Sequence, residues 1–317
     1  MVEQNRIRLI EGVYSAYELA QSALAKRKAL EQTASGLSGK ETLDYDDVHG
    51  GTSKWRILPA FDHPEEPARC LVTGTGLTHK ASAESRQTMH AARKTAAPTD
   101  SMRMYQWGLE GGRPRSGKIG VSPEWFYKGC GSILRGHGEP LEVPGFGLDG
   151  GEEAEVAGVY IVDSTGSPRR VGFALANEFS DHKLEQQNYL YLAHSKLRTC
   201  AIGPELIVGG DFQNAKGKTR ISREGKTVWE SSFLTGEKNM SHTLANLEHH
   251  HFKYLAHRRP GDAHIYFFGA DAFSFGDGIK LEDGDLMEIE LAGFGRSLHN
   301  TVKIDRSPQK LATVQPL

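Results

Sequence analysis

Beyond residue 140 the chain becomes a succession of short apolar runs cut by turns, and few folds accommodate that pattern. The runs are EVAGVYIVD, RRVGFALAN, AIGPELIVG, TRISREG, KTVWESS, HIYFFGA, DLMEIELAGFG and HNTVKI, rich in β-branched and aromatic residues as strands require. Turn signals separate them, among them Asp163-Ser164-Thr165-Gly166 and Asp283-Gly284-Asp285. HTLANLEHHHFKYLAHRR is the one clear late helix, and no fixed-period repeat is present. The 36 glycines, about 11% against a usual ~7%, suit a turn-rich β protein. This predicts an α+β, mainly β chain whose second part is a β-barrel or sandwich.

The first part reads differently. Tyr14, Tyr17, Leu19, Ala20, Leu24 and Leu30 fall near helical spacing, which predicts one amphipathic helix over 13–35. GLSGKETLDYDDVHGGTSKW then reads as a linker or exposed loop, ahead of a strand-like WRILPAF. We place a boundary near residue 68, giving a small N-terminal domain (1–68) and a catalytic domain (69–317). CLVTGTGLTH reads as a buried strand running into a glycine turn, and ASAESRQTMHAARK as a helix with Ser82 as its cap.

Composition narrows the partners. Lys and Arg number 38 against 40 Asp and Glu, a formal charge of -2, which argues against a polyanion binder such as a nucleic-acid protein. No stretch approaches the ~18 apolar residues of a membrane span. Cys70, Cys130 and Cys200 form no CxxC pair, so a soluble, cytoplasmic chain is expected.

Several residues could carry chemistry. Glu153 and Glu155 open an apolar strand, so with period two they project to one face, about 7 Å apart along the chain. Two carboxylates aimed together repel unless both are solvated or both hold a hard cation such as Mg²⁺ or Ca²⁺. Spacing alone leaves both readings open. Glu178 ends the run VGFALAN where a strand meets a loop. Glu124 lies in PEWFYKG among aromatic residues, either an exposed loop acid or a buried one in need of neutralisation. Lys196 precedes a buried strand and is a candidate anion or carbonyl contact, although lone lysines are usually solvated. His79 and Glu84 lie at one helix start, close enough for an acid–base dyad, while a histidine there is more often structural. The Gly74–His79 turn lacks the Gly-Lys-Ser/Thr of a phosphate loop. The His249-His250-His251 run with His242 lacks HExxH or Cys partners, which disfavours zinc, and no GxSxG elbow occurs.

Taken in order over residues 70–305, these pieces resemble the fumarylacetoacetate hydrolase superfamily. The carriers are VTGTGLTHKASAE, PEWFYKG, the Glu-x-Glu strand GEEAEVAGVYIV, VGFALANEFSDHKLEQ, HSKLRTCAIGPELIV, and the ending RRPGDAHIYFFGADAFSFGDGIKLEDGDLMEIELAGFGRSLHNTV. The resemblance implies a mixed β-roll with a small N-terminal domain, and a homodimer. It also implies Glu153, Glu155 and Glu178 as ligands of Mg²⁺ (or Mn²⁺ or Ca²⁺), with Glu124 at or beside the metal shell. Lys196 would hold the oxyanion or polarise the carbonyl of a small 2-keto acid.

This sequence departs from the family at four places. Glu178 stands where Asp is usual, and Ser180-Asp181-His182 lacks the family's arginine. Ala81, not His, stands three residues before Glu84, and Phe268-Gly269-Ala270-Asp271-Ala272 lacks the usual threonine. With "GTGLTH…SAE" and "FFGADAFSF", these changes resemble the sugar-acid branch, which includes 2-keto-3-deoxy-pentonate dehydratases. The expectation is a metal-dependent dehydratase with His79 or Glu84 as base; the alternative is a carbon–carbon hydrolase of an acylpyruvate or 2,4-diketo sugar acid. A non-catalytic sugar-acid binder and a zinc hydrolase are the readings from other classes.

Overall fold

The computed structural model describes residues 1–90 and 99–317. Near the N-terminus, β1 (Val2–Glu3), β2 (Arg6–Ile10) and β3 (Ser38–Asp44) form a three-stranded antiparallel sheet, interrupted by α1 (Ala16–Lys26) and α2 (Leu30–Gly36) and followed by α3 (Tyr45–His49). The single helix expected over 13–35 is therefore two, broken where Arg27 turns left-handed at φ 52° and caps α1. Tyr14 lies outside α1 and is exposed. The expected linker 36–55 contains β3 and α3; β3 hides from a hydrophobic scan because its sheet is half-exposed and its sequence polar. WRILPAF makes no strand, though Phe61 is buried.

Next come β4 (Cys70–Gly74), α4 (Lys80–His90), α5 (Asp100–Gly111), β5 (Phe126–Cys130), β6 (Leu134–Arg135) and β7 (Leu141–Val143). Helix α4 starts at Lys80, so Ser82 is not its cap: the Ser82 hydroxyl lies inside the first turn and donates to the His79 carbonyl. The expected extension of α4 through AARK lies outside the described residues. Helix α5 has no counterpart in the sequence reading; Thr99 caps it by accepting from Met102 N–H.

The remaining elements are β8 (Ala154–Val162), β9 (Pro168–Asn177), α6 (His182–Gln187), α7 (Leu192–Lys196), β10 (Cys200–Ile202), β11 (Ala215–Arg223), β12 (Lys226–Thr235), α8 (Leu244–Phe252), β13 (Ala263–Phe267), β14 (Leu286–Leu291) and β15 (Leu298–Ile304). The run AIGPELIVG is strand only as far as Ile202, since Pro204 brings no N–H to a ladder. The late helix ends at Phe252, well short of the expected Arg259.

A seven-stranded sheet in the order β5-β4-β13-β8-β9-β10-β6 is the centre of the fold, and a five-stranded sheet, β12-β11-β14-β15-β7, packs beside it. Strand β8 is buried on both faces. Val156 and Tyr160 face the five-stranded sheet and α8, joining Phe173, Leu247, Met287 and Leu298 in one core. Ala157, Val159 and Ile161 face the concave side with Cys70, Ala174, Cys200 and Ile265. Ala20 and Phe61 of the N-terminal segment belong to the same cluster. The architecture is mixed α+β, mainly β, with the central sheet curled into a barrel-like roll.

The fold also buries neutral histidines. Burial lowers His79 to about 4, and burial followed by the neighbouring His257 lowers His264 to about 3. In the unfolded chain these rings titrate near the ordinary 6.5, so acid protonates the unfolded state first. The stability they contribute is complete above pH 6.5 and is lost as pH falls toward 4 and 3. We expect the melting temperature to drop by roughly 5–10 °C between pH 7 and 4.5. A flat scanning-calorimetry profile over that range would contradict it.

Candidate metal centre at the open end of the roll

Strand register assembles the site. Ala154 pairs with Asn177 and Glu155 with Ala176, and one step further out Glu178 N–H donates to the Glu153 carbonyl at 3.0 Å. Glu153 thus lies opposite Glu178, and Glu155 shares the inward face with Ala157 and Val159. One carboxylate oxygen from each of the three lies within 4.8 Å of the others. Glu153 is 8% exposed, Glu155 1% and Glu178 0%, which excludes the solvated strand start that spacing had left open.

Like charges facing each other across strands are destabilising, and burial adds the cost of desolvation. Two buried lysines answer that cost. Lys196, at the end of α7, places its ammonium 2.5 Å from Glu153 Oε1, 2.6 Å from Glu178 Oε2 and 3.0 Å from Ser180 Oγ, above the Phe126 ring. Lys128 of β5 sits 2.5 Å from Glu178 Oε1 and donates to the Phe179 and Lys196 carbonyls. His182 Nε2 is 3.1 Å from Glu153 Oε1.

The three acids differ electrostatically. Burial works against ionisation of Glu153, yet Lys196 and His182 hold it well below the usual carboxylate range. Glu178 is raised, because burial outweighs Lys128 and Lys196. Glu155 is pushed well above its ordinary value by burial and then by the charges of Glu178 and Glu153. Its one hydrogen bond among the described residues comes from Gly269 N–H at 2.7 Å. Three converging oxygens, one of them short of positive charge, fit a hard divalent cation held by Glu153, Glu155 and Glu178.

A surrounding layer locks this arrangement. Arg86 donates to both oxygens of Glu124 at 2.8 and 2.9 Å, and Tyr189 hydroxyl donates to Glu124 Oε1. Arg86 Nε also lies 2.8 Å from Glu185 Oε1, an ion pair too bent to be a hydrogen bond. Glu124 is therefore buried, neutralised and outside the three-carboxylate cluster. Arg198 holds the loop after β9, donating to Asp181 Oδ2 and to the Ser180 and Asp149 carbonyls, and so supplies a guanidinium where Ser180-Asp181-His182 lacks one. Glu152, facing away from Glu153, accepts from Ser274 N–H and Oγ.

The two expected bases are separated. His79 is buried, with Nδ1 3.0 Å from Thr78 Oγ1 and with Nε2 lacking a hydrogen-bond partner among the described residues. The Glu84 side chain is 58% exposed and pairs with Lys80 at 3.4 Å. Among the described residues no hydrogen bond joins His79 to Glu84: His79 precedes α4 and is buried, whereas Glu84 lies on the helix's exposed side. Glu84 instead lines a cleft of about 580 Å³, together with Asp149, Lys183, Trp229, Asp271 and Lys280. The histidine run gives no metal site either. His251 is spent on Trp125 and His264, and the three glutamates are the one metal-capable group among the described residues.

Sequence reasoning missed Lys128, Arg86, His182 and Arg198. Lys128 had a signal, since it falls two residues after the inward-facing Phe126 on a strand. Arg86 and Arg198 had none, because their partners are distant in the chain.

No family profile matches the sequence, and no curated protein matches it. Solved structures do. A 2-keto-3-deoxy-D-arabinonate dehydratase in its apo form is 20% identical, covers 97% of this chain and 94% of its own, and superposes with a TM-score of 0.70. The complex of that dehydratase with magnesium and 2,5-dioxopentanoate gives the same values. A 5-carboxymethyl-2-hydroxymuconate delta-isomerase from Mycobacterium smegmatis is 18% identical, covering 85% of this chain and 88% of its own at a TM-score of 0.52. At these identities the likeness speaks for architecture, and the chain has the fold its motifs resemble, that of the fumarylacetoacetate hydrolase superfamily.

Proposed function

We propose that the protein is a divalent-metal-dependent hydro-lyase that removes water from a 2-keto-3-deoxy-pentonate. The observation that carries this reading is the buried Glu153–Glu155–Glu178 cluster, clamped by Lys196 and Lys128 at the end of the roll. The full-length likeness to the arabinonate dehydratase supports it. Mg²⁺, or Mn²⁺ or Ca²⁺, bound by these glutamates would supply Lewis acidity toward a 2-keto carboxylate.

The chain's own groups divide the remaining work. Lys196, kept protonated by Glu153 and Glu178 against its burial, supplies fixed positive charge beside the substrate's oxyanion. His79 is neutral at physiological pH and has an unshared nitrogen, so it is the better candidate to take the C3 proton than Glu84, which pairs with Lys80. The C4 hydroxyl then leaves as water with the proton His79 took from C3, and the resulting 5-hydroxy-3-ene becomes the 2-keto semialdehyde by transfer of a proton from C5 to C3. Lys183 and Lys280 line the cleft beside Trp229, which offers an apolar face, and beside the acids Glu84, Asp149, Asp271 and Asp277, which offer acceptors to substrate hydroxyls.

Product analysis by mass spectrometry and NMR separates the chemistries. Incubation of Mg²⁺-loaded protein with 2-keto-3-deoxy-pentonates is expected to give the mass of substrate minus one water, as a 2-keto semialdehyde. Pyruvate and a second acid from an acylpyruvate would assign the hydrolase instead, and no turnover of either class would favour a binding protein.

A further inference from the structure

Thr78 takes no part in the chemistry outlined above, yet it sits at the centre of a hydrogen-bond chain. We propose that Thr78 is a positioning residue that fixes His79 in its Nδ1–H tautomer and ties that ring to Glu155 through a single peptide group. The inference rests on the assignment of His79 as the base.

The proton count decides the direction of each bond. A threonine hydroxyl has one proton to give, and Thr78 Oγ1 gives it to the Phe268 carbonyl, 2.6 Å away. The same oxygen lies 3.0 Å from His79 Nδ1. With its proton committed, Oγ1 can only accept there, so Nδ1 carries the hydrogen and Nε2 is left as a bare lone pair. Nε2 is buried and has no hydrogen-bond partner among the described residues, as a nitrogen held ready to take a proton would be. The charge of Asp271, which lines the cleft, reaches the ring and favours its protonated form.

The chain continues across one peptide. The carbonyl that Thr78 addresses and the N–H that Glu155 receives belong to the same Phe268–Gly269 amide, with Gly269 N–H donating to Glu155 Oε2 at 2.7 Å. His79 Nδ1–H, Thr78 Oγ–H, the amide and the Glu155 carboxylate are therefore in series, each link polarising the next. Gly269 is required by this geometry: it adopts φ +96°, and a Cβ there would lie 2.1 Å from Thr78 Oγ1. The linkage accounts for a histidine that works without the glutamate three or four residues on.

Long-range ¹H–¹⁵N spectra of histidine-labelled, substrate-free protein test this directly. In the wild type, His79 is expected to show a protonated Nδ1 and a bare Nε2; the Nε2–H tautomer in the wild type would overturn the proposal whatever any variant does. Thr78→Val removes the acceptor, and is expected to shift His79 toward Nε2–H and lower kcat by about 10- to 100-fold with little change in KM. Thr78→Ser keeps the hydroxyl and is expected to restore both. A Thr78→Val protein that retains the Nδ1–H tautomer, or a Thr78→Ser protein as impaired as the valine variant, would refute the assignment. Because the tautomer is read without substrate, failure of the dehydratase reading would leave this result standing.

Discussion

Lys196→Met is expected to cost the metal-free protein about 3–5 kcal/mol, the usual penalty for removing one partner of a buried ion pair. The lysine is fully buried between Glu153 and Glu178, and methionine fills its stem while leaving both carboxylates without that charge. Lys128 still pairs with Glu178, so Glu153 is the acid exposed to the loss, with His182 as its remaining contact partner among the described residues and Arg86 further off. Calorimetry should show a fall in melting temperature of roughly 10 °C. Added Mg²⁺ should recover more of that fall than it adds to the wild type, since a cation at the same carboxylates replaces the missing charge. Turnover should drop by about 10²- to 10³-fold, the scale of losing one fixed charge at a reacting oxygen. A variant with wild-type melting and full activity would remove Lys196 from the site.

Glu155→Gln should move stability and activity in opposite directions. Glu155 is the member of the cluster with no lysine in ion-pair contact among the described residues, and burial beside two other acids opposes its ionisation. The neutral amide relieves that repulsion, so the metal-free variant should melt at or above the wild-type temperature. The rise in melting temperature on adding Mg²⁺ should vanish, and activity should fall by about 10²- to 10³-fold. If the variant keeps the wild-type response to Mg²⁺, Glu155 is not a ligand.

The sequence made the carboxylates visible and left their charge balance hidden. Glu153 and Glu155 could be paired on paper because strand period two is rigid, and Glu178 because it closes an apolar run. Their convergence follows from one register, Ala154 with Asn177, which no local pattern specifies. Lys128 reaches Glu178 because the sheet curls and brings an edge strand against the far end of β9, a contact invisible to any window along the chain. Errors clustered where local signals were weak: β3 is polar because its sheet is half-exposed, and α1 breaks at a left-handed arginine that carries no helix-stop signature.

The packing of Ala20 and Phe61 against the central sheet bears on how the molecule is assembled. Ala20 and Phe61 lie in one cluster with Val159 and Ala157, which share a strand face with Glu155, so this part of the amino-terminal segment forms an apolar floor beneath the rim that holds the charge. A floor of this kind keeps water from rising beneath ionised groups. Changes in the amino-terminal segment should therefore be felt at the chemistry through the wetting of the interior, without any side chain of that segment reaching the rim.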